Sequence, residues 1–107
     1  METEELKRRY LAGQRYFVSA NLIKAKLINV YLPGINLWGA DLSRANLAQA
    51  NLTRANLSGV NLTEANLRGT KLHYTKLYGA NLHGAYYDES TKFPRNFDPV
   101  SHNMQKL

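Results

Sequence analysis

Side chains able to do acid–base, nucleophilic or metal chemistry are sparse in this sequence, and their spacing keeps them apart. Cysteine is absent, which removes disulfides, thiolate metal sites and a cysteine nucleophile. The histidines are His73, His83 and His102. A pair of them could begin a metal site and one could activate a serine, but neither chemistry finds its remaining groups nearby. Of the acids in the body of the chain, Asp41 reads as a turn former, Asp88 and Glu89 as solvated carboxylates, and Glu64 stands alone. No glycine-rich phosphate loop is present. The expectation is a protein that is not an enzyme and holds no cofactor and no metal.

The elements that could position anything are set by a period of five. Leucine recurs as Leu22, Leu27, Leu32, Leu37, Leu42, Leu47, Leu52, Leu57, Leu62, Leu67, Leu72, Leu77 and Leu82, with Phe17 before and Tyr87 after in the same register. Two positions before each centre stands a small residue, such as Ala20, Ala45 or Ala65. One position before it, Asn or Asp dominates, as in Asn46, Asn51 and Asp41; two positions after it, Gly is frequent, as in Gly39 and Gly59. An α-helix would rotate successive leucines by about 140° per repeat and scatter them. A straight strand would send them to alternate faces, because its period is two. The small residue and the leucine, two apart, share one face of a short extended piece. The residues between successive pieces must turn a corner, and Gly and Asn tolerate the left-handed angles of such a corner. Residues 15–89 therefore spiral with Ala and Leu inside. Residues 1–14 form an N-terminal capping segment, and residues 90–107 a C-terminal cap with a loose tail from Ser101.

The tandem Ala45-Asn46-Leu47-Ala48-Gln49 and Ala55-Asn56-Leu57-Ser58-Gly59 resembles the pentapeptide-repeat proteins. The resemblance implies an all-β solenoid, a right-handed quadrilateral β-helix with four pentapeptides per coil and about four coils in this chain. The run Tyr87-Asp88-Glu89-Ser90-Thr91-Lys92-Phe93-Pro94, with Phe97-Asp98-Pro99, is similar to the ending of cyanobacterial and plastid members. At the strand spacing of about 4.8 Å the stack would be about 18 Å tall. The row from Phe17 to Leu82 is its expected core. Raw coil ends need covers. Thr3 to Ala12 reads as a short helix with Thr3 as N-cap and Leu6, Tyr10 and Leu11 on one face. Phe93 and Phe97 are placed over the far end.

With leucine filling the interior, function must lie outside. The outward positions of the first coil are Val18, Ile23, Ile28 and Pro33, followed by Trp38; later ones turn to Ser, Thr and Ala. These five residues, with Tyr78, form the expected partner-binding set, since exposed apolar and aromatic groups mark contact sites. The expected function is a non-enzymatic protein–protein interaction module, a regulator or assembly factor, with self-association through the apolar belt as a variant. The net charge of +6 and pI near 9.7 favour acidic partners. Binding of nucleic acid or an anionic surface through Lys24, Arg44, Arg54, Arg68, Lys71 and Lys76 is the alternative. Mimicry of duplex DNA against a topoisomerase, a mechanism of some family members, ranks lower because it needs an acidic rod. The charged N-terminus does not read as a signal peptide, and the expected location is the cytoplasm.

Overall fold

The computed structural model describes residues 1–107. From Tyr16 onward the chain pairs with itself in parallel at an offset of twenty residues: Tyr16 with Asn36, Asn36 with Asn56, Asn56 with Lys76, and likewise around the molecule. Twenty residues are four pentapeptides, so each circuit has four faces. The first face carries residues 15–19, 35–39, 55–59 and 75–79, and the second, third and fourth follow at intervals of five. The overall dimensions, 36 × 24 × 23 Å, are those of a block with a nearly square section.

The local reason for each corner is visible at Leu52-Thr53-Arg54-Ala55. The Ala55 N–H donates to the Leu52 carbonyl at 2.9 Å, and Arg54, third in the turn, has φ +62°. That is the left-handed requirement of a type II turn. Asn51 braces the turn from its start: its Oδ1 accepts from the Thr53 N–H at 3.0 Å. The same bond recurs at Asp41, whose Oδ1 accepts from Ser43 N–H, in keeping with its reading as a turn former. Glycine fills only some corners. Lys24, Arg44, Arg54, Glu64 and Tyr74 also carry positive φ, a conformation that costs a residue with a Cβ about 1–2 kcal/mol.

Between circuits the hydrogen bonds have a polarity. In the pentapeptide 50–54, Leu52 N–H donates to Lys71 O and Arg54 N–H to His73 O, both toward the C-terminal end. Only Asn51 N–H points back, to Val30 O, while the Asn51 and Thr53 carbonyls accept from Leu32 and Gly34 of the preceding circuit. Each pentapeptide thus presents two donors and one acceptor toward the C-terminal end, and the reverse toward the N-terminal end.

The interior is apolar and closed. The leucine row and the small residues beneath it form one buried cluster with Leu6, Tyr10 and Phe17. Where Thr replaces Ala in the small slot, the hydroxyl is satisfied: Thr70 and Thr75 donate to the Leu47 and Leu52 carbonyls, each at 2.8 Å. Leu77 departs from the expected core and is only half-buried. No circuit stacks above it, and its N–H has no ladder partner.

At the N-terminus, helix α1 (Thr3–Leu11) buries Leu6 and Tyr10. It begins differently from the expectation: Glu2 is the N-cap residue, with no side-chain capping bond, and Thr3 is already helical. Leu11, expected on the buried face, is 85% exposed. The helix ends there, and Ala12 N–H returns to Arg8 O. Tyr10 Oη donates to the Pro33 carbonyl at 2.6 Å. Burial pushes its hydroxyl above the ordinary pKa of 10.0, and the Arg15 guanidinium works in the opposite direction. Arg15 lies 3.7 Å over the Tyr10 ring.

The C-terminal tail is not loose. Strands β1 (Tyr86–Tyr87) and β2 (Gln105–Lys106) pair in parallel, and Gly84 N–H donates to Asn103 O at 2.9 Å. The tail rejoins the ladder because backbone groups left along its edge reward any strand that can reach them. Asp88, expected to be solvated, is half-buried and structural. Pairing of Lys71 with Lys92 marks one inserted residue in this circuit. Where the insertion displaces the backbone acceptor, Asp88 Oδ1 and Thr91 Oγ1 take the Gly69 N–H at 3.1 and 3.2 Å.

Candidate functional site

The outward positions sort by face. Val18 and Trp38 lie one above the other on the first face, with Tyr16 beside Asn36 in register and Tyr78 two circuits beyond Trp38. Ile23 stands on the second face, Ile28 on the third and Pro33 on the fourth. The expected apolar belt therefore encircles the block, and no flat partner surface meets all of it. Val18 and Pro33 are half-buried, and the Pro33 carbonyl is engaged by Tyr10. Ile28 borders a small apolar hollow of about 230 Å³ with Leu11 and Tyr31 beside α1.

The first face is the continuous candidate. Trp38 is 52% exposed and Tyr16 71%. The corner beside them carries Ser19, Gly39, Gly59 and Gly79, so past the short Ser19 side chain nothing rises there to hold a partner away. No acidic side chain lies on this face between Arg15 and Gly79, and Lys76 is its only charge above Arg15. Trp and Tyr at half exposure or more, on rigid backbone, are the residue types that anchor protein interfaces. The expected partner-binding set of Val18, Ile23, Ile28, Pro33, Trp38 and Tyr78 is thus divided among four faces, with Val18, Trp38 and Tyr78 together on the first.

The titratable groups do not converge. His73 and His83 fall on the fourth and second faces, which are opposite. His102 stacks on Phe97 with ring centroids 4.4 Å apart, and its Nδ1 lies 2.9 Å from the Asp98 carbonyl, which it reaches as a donor. No group of three or more His, Asp or Glu side chains comes together. Among the basic residues, Arg44 pairs with Glu64 at 3.4 Å across an exposed corner. Arg54 lies 5.0 Å over the Tyr74 ring, and Lys71 and Lys92 are neighbours on the fourth face. No helix is long and apolar enough to cross a membrane.

A filled interior, four faces per circuit and a corner every fifth residue define a parallel β-solenoid built from pentapeptides. The pentapeptide-repeat family model matches residues 20–59 and 50–86, and the chain belongs to that family, whose fold is the right-handed quadrilateral β-helix. Its members are generally structural or binding proteins. The chain is similar to alr5209, a pentapeptide-repeat protein of Nostoc PCC 7120. The identity is 39% over 99% of this chain and 96% of that one, with a TM-score of 0.56. It is similar to Rfr23 of the cyanobacterium Cyanothece 51142 at 35% identity, covering 73% of this chain and 63% of that one, with a TM-score of 0.53. HetL of Nostoc sp. PCC 7120, which is involved in heterocyst differentiation regulation, matches at 33% identity over 82% of this chain, with a TM-score of 0.53; the match spans 47% of HetL. No curated protein matches the chain.

Proposed function

We propose that this protein is a non-enzymatic interaction module: a stack of about four coils, closed at its N-terminal end by α1, that docks on another protein through its first face. The observation that carries the reading is the pair of exposed aromatics Tyr16 and Trp38 flanking half-buried Val18, on a backbone bonded to the next circuit at Phe17 and Ser19 and on both sides at 36–39. A rigid strip loses little conformational entropy on docking, which favours affinity. The glycine corner beside it lets a partner approach the backbone closely. Similarity to HetL supports a regulatory setting for such docking.

The test is affinity capture with the intact chain against Trp38→Ala and Tyr16→Ala, with Ile23→Asp/Ile28→Asp as a comparison on other faces. The reading expects proteins retained by the parent and by the Ile pair but lost from the aromatic variants, at unchanged thermal stability. Retrieval of the same proteins by every variant would remove the first face as the docking surface.

A further inference from the structure

The ladder is incomplete at the C-terminal end: it is bare along the whole first face, and on the second face the Leu82 N–H also lacks a partner, with pairing resuming only at Gly84. The last circuit pairs with Lys92 on the fourth face and with residues 103–107 at the second corner and third face. Above the first face and the corner that leads into it nothing pairs: the N–H groups of Tyr74 at that corner and of Leu77 and Gly79 on the face, and the carbonyl of Thr75, have no backbone partner, although their equivalents one circuit below all do. The cause is local. Phe97, whose N–H would reach Thr75 if the offset seen at Lys71 and Lys92 continued, donates instead to Pro94 O at 3.2 Å. Asn96, at φ +64°, turns the chain inward. Phe93, Phe97 and His102 then stack as a plug over the interior, with Phe93 and Phe97 ring centroids 4.9 Å apart. Between the plug and the bare edge lies an open groove of about 1000 Å³.

Two features state what fits. The edge is donor-rich, three N–H groups to one carbonyl, because of the ladder's polarity. The ionisable walls of the groove are His73, Lys76, Arg95 and His102, with two tyrosines and no carboxylate. Half-buried Leu77 and Phe97 line it, together with the largely exposed Tyr74 and Tyr78. We propose that this groove binds an extended, acidic peptide segment of a partner protein, which lies parallel along Thr75–Gly79 and completes the interrupted circuit. Its carbonyls accept from the three bare N–H groups, alternate side chains point to Leu77 and Phe97, and outward carboxylates meet Lys76 and Arg95. This site rests on the ladder gap and stands whether or not the lateral aromatic face binds anything.

The experiment titrates an isotope-labelled full-length chain with a capped peptide of alternating Glu and Val, about six residues long, enough to span one face. Expected are shifts of the Tyr74, Leu77 and Gly79 amides while Trp38 and Tyr16 stay still. Affinity should fall about tenfold or more in Lys76→Glu/Arg95→Glu, and the Lys–Val counterpart peptide should not bind. Trp38→Ala should bind the peptide as the parent does, which separates this site from the lateral face. Equal binding of the two peptides, or shifts confined to other residues, would overturn the proposal. So would finding the three amides already protected from exchange in the free chain. Protection that appears only on dimerisation would make a second copy the occupant and overturn it as well.

Discussion

The two ends of the solenoid solve one problem with opposite chemistry. Stacking leaves an acceptor-rich edge at the N-terminal end and a donor-rich edge at the C-terminal end. At the first, the groups that arrive are donors: the Met1 ammonium reaches Asn21 O at 2.7 Å and Tyr10 Oη reaches Pro33 O. At the second, the arriving side chain is an acceptor, the Asp88 carboxylate on Gly69 N–H. Both backbone edges keep unpaired groups, among them the Asn21, Lys26 and Tyr31 N–H at the first; the difference lies in how the core is covered. A helix laid across the first coil buries Leu6 entirely, whereas the C-terminal chain cuts across the square and leaves Leu77 half-buried beside a bare edge. An end covered from within one continuous helix is tight; an end covered by the last residues of the spiral is tight only where those residues return to the ladder.

That contrast is open to measurement. The largest effect is expected at the closed end: Leu6→Ala should cost about 2–5 kcal/mol, and Leu77→Ala clearly less, because the transfer and cavity contributions scale with burial. Urea melts of the two variants decide it, and equal losses would mean that the ends are equally sealed. Next, Asp88→Ala takes the carboxylate from Gly69, Ser90 and Thr91 and should cost about 1–3 kcal/mol. Amide exchange at Gly69 should quicken, and an unchanged rate would assign the bond to Thr91 alone. Tyr10→Phe should cost about 1 kcal/mol through the lost bond to Pro33. It should also change the alkaline limb. The folded-state pKa of Tyr10 lies above its unfolded value near 10.0, so its stabilisation is full below that pH and is lost as the pH rises through the folded-state pKa. The Phe variant should lack that loss. The smallest effect belongs to neither end: Glu64→Ala, which breaks the exposed pair with Arg44, should change stability by less than about 1 kcal/mol.

Much of this molecule can be read from its residues, and the part that cannot has a common cause. The inward row at every fifth position and the corner role of Asp41 follow from chemistry within five residues; Asn46 and Asn51 serve the corner too, but by bracing it through Oδ1 and not by taking its left-handed angles. Corners at Lys24, Arg54 and Tyr74 carry no glycine, yet the period alone places them. What escaped depends on partners twenty residues away. Gln105-Lys106 has no strand pattern of its own and pairs only because Tyr86-Tyr87 is left with a free edge. Asp88 looks solvated until the inserted residue removes Gly69's backbone acceptor. Leu77 keeps the leucine rhythm, and only the chain's inward turn at Asn96 uncovers it. The aromatic row of the first face was legible, because four pentapeptides per coil stack Trp38 under Tyr78; the half-burial of Val18 and Pro33 was not, since it depends on contacts outside the repeat.

A chain written in nearly identical words could align with itself at fifteen or twenty-five residues as readily as at twenty, with leucine still facing leucine. The corners forbid this. From Ser19 to Gly84 every one of them has φ between +58° and +72°, whatever side chain it carries. A constant bend per word closes a square and neither a triangle nor a pentagon. Each rung therefore finds its neighbour by angle, not by recognising its sequence, and substitutions along the walls can accumulate without scrambling the alignment so long as the bend is kept.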